Sequence, residues 1–135
     1  MSNSDIRKET EELFSTAFTA AHPSVPISYE NIDFTPTSGQ PWVRISIRTQ
    51  ESTRRNIGSS VKNYDFSGNV FVQIFAPLGE GLGDAYAIAD TVDEIFRNVE
   101  TEHIRFRSPS ASPVGESSSW YQVNATVPFR AYFLK

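Results

Sequence analysis

Gly79, Gly81 and Gly83 separate the apolar run VFVQIFAP (residues 70–77) from a helical stretch that begins at Asp84. A glycine loop feeding a helix can cradle a phosphate, because backbone N–H groups converge on the anion and the helix N-terminus adds partial positive charge. The spacing here does not support that chemistry. A dinucleotide loop needs G-x-G-x-x-G and a P-loop needs G-x-x-x-x-G-K-[ST]; in both, counting from Gly79, the final glycine falls on Asp84. Asp84 would also put a carboxylate where the phosphate must sit. The segment reads as a flexible strand-to-helix connection, with Asp84 as N-cap.

The remaining reactive residue types are equally uncommitted. His22 and His103 lie far apart and in no metal-ligand spacing such as H-E-x-x-H. His22 precedes Pro23 at a helix end, which assigns it a capping or solvent role, and His103 beside Glu100 and Glu102 reads as part of an exposed ion pair. Asp90 and Glu94 share a helix face at i, i+4, the ordinary pattern of a solvated amphipathic surface. The serines between Ser108 and Ser119 have no base or elbow motif near them. The expectation is a protein with no catalytic residues, no metal and no cofactor.

The elements that carry these residues follow from periodicity. A first helix is predicted from Asp5 to about Ala21, capped by Ser4, with Ile6, Leu13, Phe14, Ala17, Phe18 and Ala21 on one face. VPISYENIDF reads as a strand whose apolar parity switches at Glu30–Asn31, the mark of a bulge or corner. Val43, Ile45 and Ile47 face one side of the next strand, and Trp42, Arg44, Ser46 and Arg48 the other. Residues 49–69 form a surface arm presenting Arg54, Arg55, Tyr64 and Phe66, with the tips of a long hairpin reaching Arg55 and resuming near Lys62 as one way to build it.

Ala85, Ile88, Val92, Ile95, Phe96 and Val99 give the second helix its stripe. HIRFR is a short strand, SPSASPVGESSS a Ser/Pro loop, and WYQVNATVPFRAYFL a long strand in which Pro128, lacking an N–H, implies an edge or a bulge. The sum is an α+β domain of two layers: a mainly antiparallel sheet of four to five strands packed against two helices.

Composition bounds the function classes. The 135 residues make one domain with a real core. There are no cysteines, which removes disulfide frameworks and thiolate sites. No stretch approaches the roughly twenty apolar residues of a membrane helix, and the N-terminus has no signal-peptide pattern, so a soluble intracellular protein with no membrane partner is expected. The formal net charge of −4 gives no chain-wide attraction to nucleic acid, although arginines cluster at Arg44, Arg48, Arg54 and Arg55 and again at Arg105 and Arg107. Ten Phe, five Tyr and two Trp, together with these arginines, fit protein–protein contact.

In order and spacing, VPISYENIDF, PWVRISIR, VFVQIFAPLGEGLGDAYAIADTVDEIF and WYQVNATVPFRAYF resemble the tail terminators, or tail completion proteins, of phages with long non-contractile tails. The resemblance spans nearly the whole chain. It implies a ring-forming structural protein of the virion, a hexamer at the head-proximal end of the tail, made in the host cytoplasm. It further implies that the ring binds the last ring of tail tube protein, stops polymerisation and joins the head–tail connector. Double-stranded DNA would pass through the lumen without specific binding, and an acidic lumen would let it slide. A ring needs two unlike patches per subunit. The candidates are Arg54, Arg55, Tyr64 and Phe66 on the arm, Trp42, and the strand edge at Pro128. Two alternatives remain open: a neck, head-closure or minor tail protein, and a small α+β ligand-binding domain with an aromatic-lined pocket between helix and sheet.

Overall fold

The computed structural model describes residues 3–30, 32–36, 39–55, 62–79, 83–117 and 120–134, with side chains from residue 5 onward except at 51–65, 117 and 132–134. Helix α1 (Asn3–Ala21) buries Ile6, Phe14 and Phe18 completely. Between Ile6 and Phe14 the same stripe is filled by Thr10, also fully buried. The helix starts at Asn3, so Ser4 lies inside it and is not the cap. Strand β1 (Ile27–Tyr29) runs parallel to β2 (Trp42–Arg55) and stops at Glu30, much shorter than VPISYENIDF implies.

β2 pairs antiparallel with β3 (Lys62–Pro77) in one unbroken register, from Trp42 opposite Phe75 to Arg55 opposite Lys62. The arm is therefore a continuation of the hairpin, its tip lying outside the described residues. Gly79 turns the chain at φ 85°, and residues 80–82 of the glycine loop lie outside the described residues. Helix α2 (Gly83–Phe96) follows, burying Ala85, Ile88, Ala89, Val92, Ile95 and Phe96. Asp84 sits within its first turn rather than at the cap, where its charge still favours the helix dipole. Asn98, at φ 54°, ends the turn beyond α2 in the left-handed conformation that asparagine tolerates.

β4 (Ile104–Phe106), β5 (Ser110–Ser117) and β6 (Trp120–Leu134) complete a six-stranded, mostly antiparallel sheet. Its order is β1-β2-β3-β6-β4, with β5 also on β6. The Ser/Pro stretch is thus a strand and not a free loop. Its hydrogen bonds go to residues 120–126 of β6, with a register shift between Pro113 and Gly115. Proline, a bulge and exposed polar side chains are the features that let a strand close a sheet edge without inviting further pairing.

β6 lies inside the sheet, between β3 and the β4/β5 pair, so Pro128 marks no edge strand. β4 pairs with residues 129–131 and β5 with 120–126, which leaves Pro128 at the junction where the partner changes. A strand residue's N–H and C=O point to the same side. The Pro128 carbonyl accepts from the Arg107 N–H at 2.8 Å on that side, so the missing donor faces away from the β3 ladder and forgoes only the reciprocal bond to the Arg107 carbonyl, just past the end of β4.

The core lies between the helices and one sheet face. Val43, Ile45 and Ile47 of β2, Phe66, Val70, Val72 and Ile74 of β3, and Val123, Ala125, Val127, Phe129 and Ala131 of β6 meet Phe14, Phe18 and α2. Phe66 shares even parity with Val70, Val72 and Ile74, and is 2 % exposed. Each such side chain contributes about 1.5–3 kcal/mol on burial. The Thr10 hydroxyl is buried with no hydrogen-bond partner among the described residues, which costs free energy that an isosteric methyl does not. Thr10→Val is expected to stabilise the protein by about 1 kcal/mol, read as a shift in the urea midpoint at unchanged slope.

Candidate functional site

The face of the sheet away from the helices has no second layer among the described elements, and its side chains sort into two halves. At one end Trp42 stacks on Phe75, with ring centroids 4.1 Å apart. Phe34 packs at 5.0 Å and Trp120 meets Trp42 edge-on at 6.1 Å. The Arg44 guanidinium sits 5.2 Å from the Trp42 ring centroid. Trp42 is therefore the centre of a small aromatic cluster and only 5 % exposed.

The other half of this face is basic. The register brings Arg48, Asn69 and Pro128 into one row and Gln50, Ser67, Arg130 and Arg105 into the next. Arg107 joins the Pro128 row through its backbone hydrogen bond. Two shallow hollows of about 600 and 730 Å³ open there, both lined by Arg107 and Arg130.

Glu30 organises the border between α1 and this sheet. β1 ends at Tyr29, and the carboxylate of the next residue takes the place of the missing strand. Its Oε1 accepts from the Ile47 N–H at 2.8 Å, and its Oε2 accepts from Arg48 Nη1 at 3.0 Å. Arg7 of α1 adds a longer contact at 3.4 Å. Burial by itself would raise the Glu30 carboxyl, but the Ile47 N–H, Arg48 and Arg7 outweigh it and hold it below its ordinary value of 4.5. A depressed carboxylate contributes stability above its unfolded-state value and loses it as pH falls through the folded one. Glu30→Gln keeps an acceptor for Ile47 and loses two partly exposed ion pairs. It should cost under about 1 kcal/mol at neutral pH and flatten the loss of stability below pH 4.5. Urea unfolding of both proteins across that range checks the slope.

The groove beside Glu30, about 710 Å³, is lined by Arg7, Glu11, Glu12, Ser15, Thr16, Tyr29, Glu30 and Ile32. Tyr29 is the one aromatic in that lining, and Arg7 is committed to Glu11 and Glu30. Among the described residues the space between the helices and the sheet is filled by core side chains.

The two histidines link elements. His22 Nε2 lies 2.7 Å from Thr91 Oγ1, tying the end of α1 to α2, which replaces its expected capping or solvent role. His103 Nδ1 lies 3.4 Å from Glu9 Oε1 of α1, and its Nε2 lies 4.0 Å from Glu102. Glu100 instead pairs with Arg105 at 3.2 Å. Glu9, Glu102 and His103 are the one group among the described residues with ligand atoms close enough to share a metal. The two carboxylates face different ring nitrogens, however, which suits an ion-pair bridge better than coordination through one nitrogen. Asp90 and Glu94 are exposed on α2, as an amphipathic helix requires.

Of the interface candidates read from the sequence, two belong to the interior. Phe66 is in the main core and Trp42 in the aromatic cluster, so neither is free to dock on a neighbour as the chain stands. Pro128 lies mid-sheet for the reason given above. Arg54, Arg55 and Tyr64 stand on the β2–β3 arm, and their side chains lie outside the described residues. The arginines on the open face that the candidates missed, Arg107 and Arg130, come from separate segments, and pairing alone brings them together.

Comparison with known proteins places this arrangement. A family model described as "Phage tail terminator protein" matches residues 5–129. A solved structure with 21% sequence identity superposes with a TM-score of 0.74, covering 98% of this chain and 97% of the other, and so shows the same fold. No curated protein matches. With 125 of its positions (5 through 129) inside the family match, the chain belongs to the phage tail terminator family, a family of structural proteins of the phage tail.

Proposed function

We propose that this protein ends the tail tube: copies close into a ring, a hexamer, on the last tube ring, block further addition of tube protein and offer the head connector its joint. The observation that carries the reading is the family match across residues 5–129. The arm supplies a means of association. β1 pairs with β2 only as far as Ile45, and β4 pairs with β6 only as far as Ala131. Beyond those points β2 and β6 run on to Arg55 and Leu134 with no further strand of the described residues on their outer sides. Open strand edges are templates for pairing with a neighbour. Two different edges per subunit meet the requirement of a head-to-tail ring.

Phage lacking this chain should make over-long tubes unattached to heads. Tails of normal length would instead favour a neck or head-closure role, and a strict monomer at high concentration with tubes present would exclude a ring. The reading places the protein at the head-proximal end of the tail, after synthesis in the host cytoplasm, with duplex DNA passing through the lumen.

A further inference from the structure

Arg105, Arg107 and Arg130 occupy neighbouring positions on the open sheet face. Arg105 is directly across the ladder from Arg130. Arg107, two residues along the same strand direction, lies opposite Pro128, the next row. Directly opposite positions are about 5 Å apart and alternate positions about 7 Å, and like charges placed directly opposite cost stability. Glu100 answers Arg105 at 3.2 Å. Arg107 and Arg130 are exposed and enter no ion pair among the described residues. Arg48 stands on the far wall of the larger hollow, whose remaining lining includes Thr49, Gln50, Ser67 and Asn69. A chain of net charge −4 thus leaves two guanidinium groups without an acidic partner among the described residues, Arg107 and Arg130, beside a hollow of neutral hydroxyls and amides, whereas Arg48 is already answered by Glu30 at 3.0 Å.

We propose that this hollow binds the phosphodiester backbone of double-stranded DNA without regard to sequence. Guanidinium forks match phosphate oxygens bidentately, and a basic cluster on one face is the electrostatic footprint of a nucleic-acid surface. A protein partner fits less well. Arginine at a protein interface works beside Trp or Tyr anchors, and no Trp or Tyr of the described residues lines either hollow. The choice of duplex DNA as the polyanion rests on the reading of a ring around the genome. In place of a uniformly acidic lumen, a few weak contacts on an acidic subunit would guide the duplex and still let it slide.

Fluorescence anisotropy of two labelled duplexes of unrelated sequence, titrated with full-length protein at several salt concentrations, tests this. The wild-type protein should bind both alike, with affinity falling linearly against salt on logarithmic axes. Arg107→Gln with Arg130→Gln should lower that slope by about two, and each single variant by about one. Melting temperature and oligomeric state by light scattering should stay unchanged. Absence of binding, or an unchanged slope in the double variant, overturns the site. So does a double variant that keeps DNA binding but loses assembly, since the arginines would then serve a protein contact. Wild-type rings without DNA binding would sink this inference alone, whereas a protein that neither assembles nor caps tubes would sink the terminator reading.

Discussion

Phe96→Ala should lower the free energy of unfolding by about 3–5 kcal/mol. Phe96 is the last residue of α2 and is fully buried. Its ring stacks on Phe14 of α1 with planes 5° apart and centroids at 6.0 Å, and meets Phe106 of β4 at 4.9 Å. Phe106 in turn meets Phe129 of β6 at 6.1 Å. Truncation therefore opens a cavity where both helices and the sheet converge, and neighbours held by other rings cannot collapse into it. Urea unfolding at fixed m-value reads the loss; a change below about 1 kcal/mol would mean the site relaxes far more than its packing implies.

Gly68→Ala should cost about 3 kcal/mol, at the upper end of overpacking changes. A Cβ on Gly68 would stand 1.9 Å from the Arg48 carbonyl oxygen, 2.9 Å from that carbonyl carbon and 3.0 Å from the Thr49 Cα. All three are backbone atoms of the paired strand, so no side-chain rotation relieves the contact. β2 and β3 must separate within the core-covered part of the hairpin, between the buried Val70 and Phe66 rows. Glycine within a strand often marks such a close backbone approach. The effect on assembly should exceed the effect on stability, because the arm's direction changes with the local twist. Comparing the urea midpoint with ring formation separates the two, and a fully stable variant would show that the strands part without cost.

Much of this architecture was legible in the residues. The 3.6-residue stripe of α2 and the odd positions of β6 each point to one buried side, and Ala85, Ile88, Val92, Ile95 and Phe96 of the helix and Val123, Ala125, Val127, Phe129 and Ala131 of the strand are buried. Phe66 was legible too: its even parity continues Val70, Val72 and Ile74. Ser67, Gly68 and Asn69 interrupt the apolar run and mask that continuation. Other features depend on tertiary pairing and leave no local trace. The Ser/Pro stretch has weak strand propensity and becomes β5 only because β6 offers it an edge. β1 ends early because the Glu30 carboxylate captures the Ile47 N–H, a contact across seventeen residues. Trp42 reads as outward from alternation, and its burial comes from Phe34, Phe75 and Trp120 gathering on the same side. The arginine cluster is a product of register, since Arg105, Arg107 and Arg130 meet only once β4 docks on β6.

Tube growth in vitro decides whether the protein ends polymerisation. Tube protein polymerised with and without this chain, then imaged by negative stain, gives a length distribution and shows where the chain sits. The expected result is growth arrested at lengths that shorten as more protein is added, with a ring of this chain on one tube end. Tubes of unchanged length, with bare ends, would contradict it.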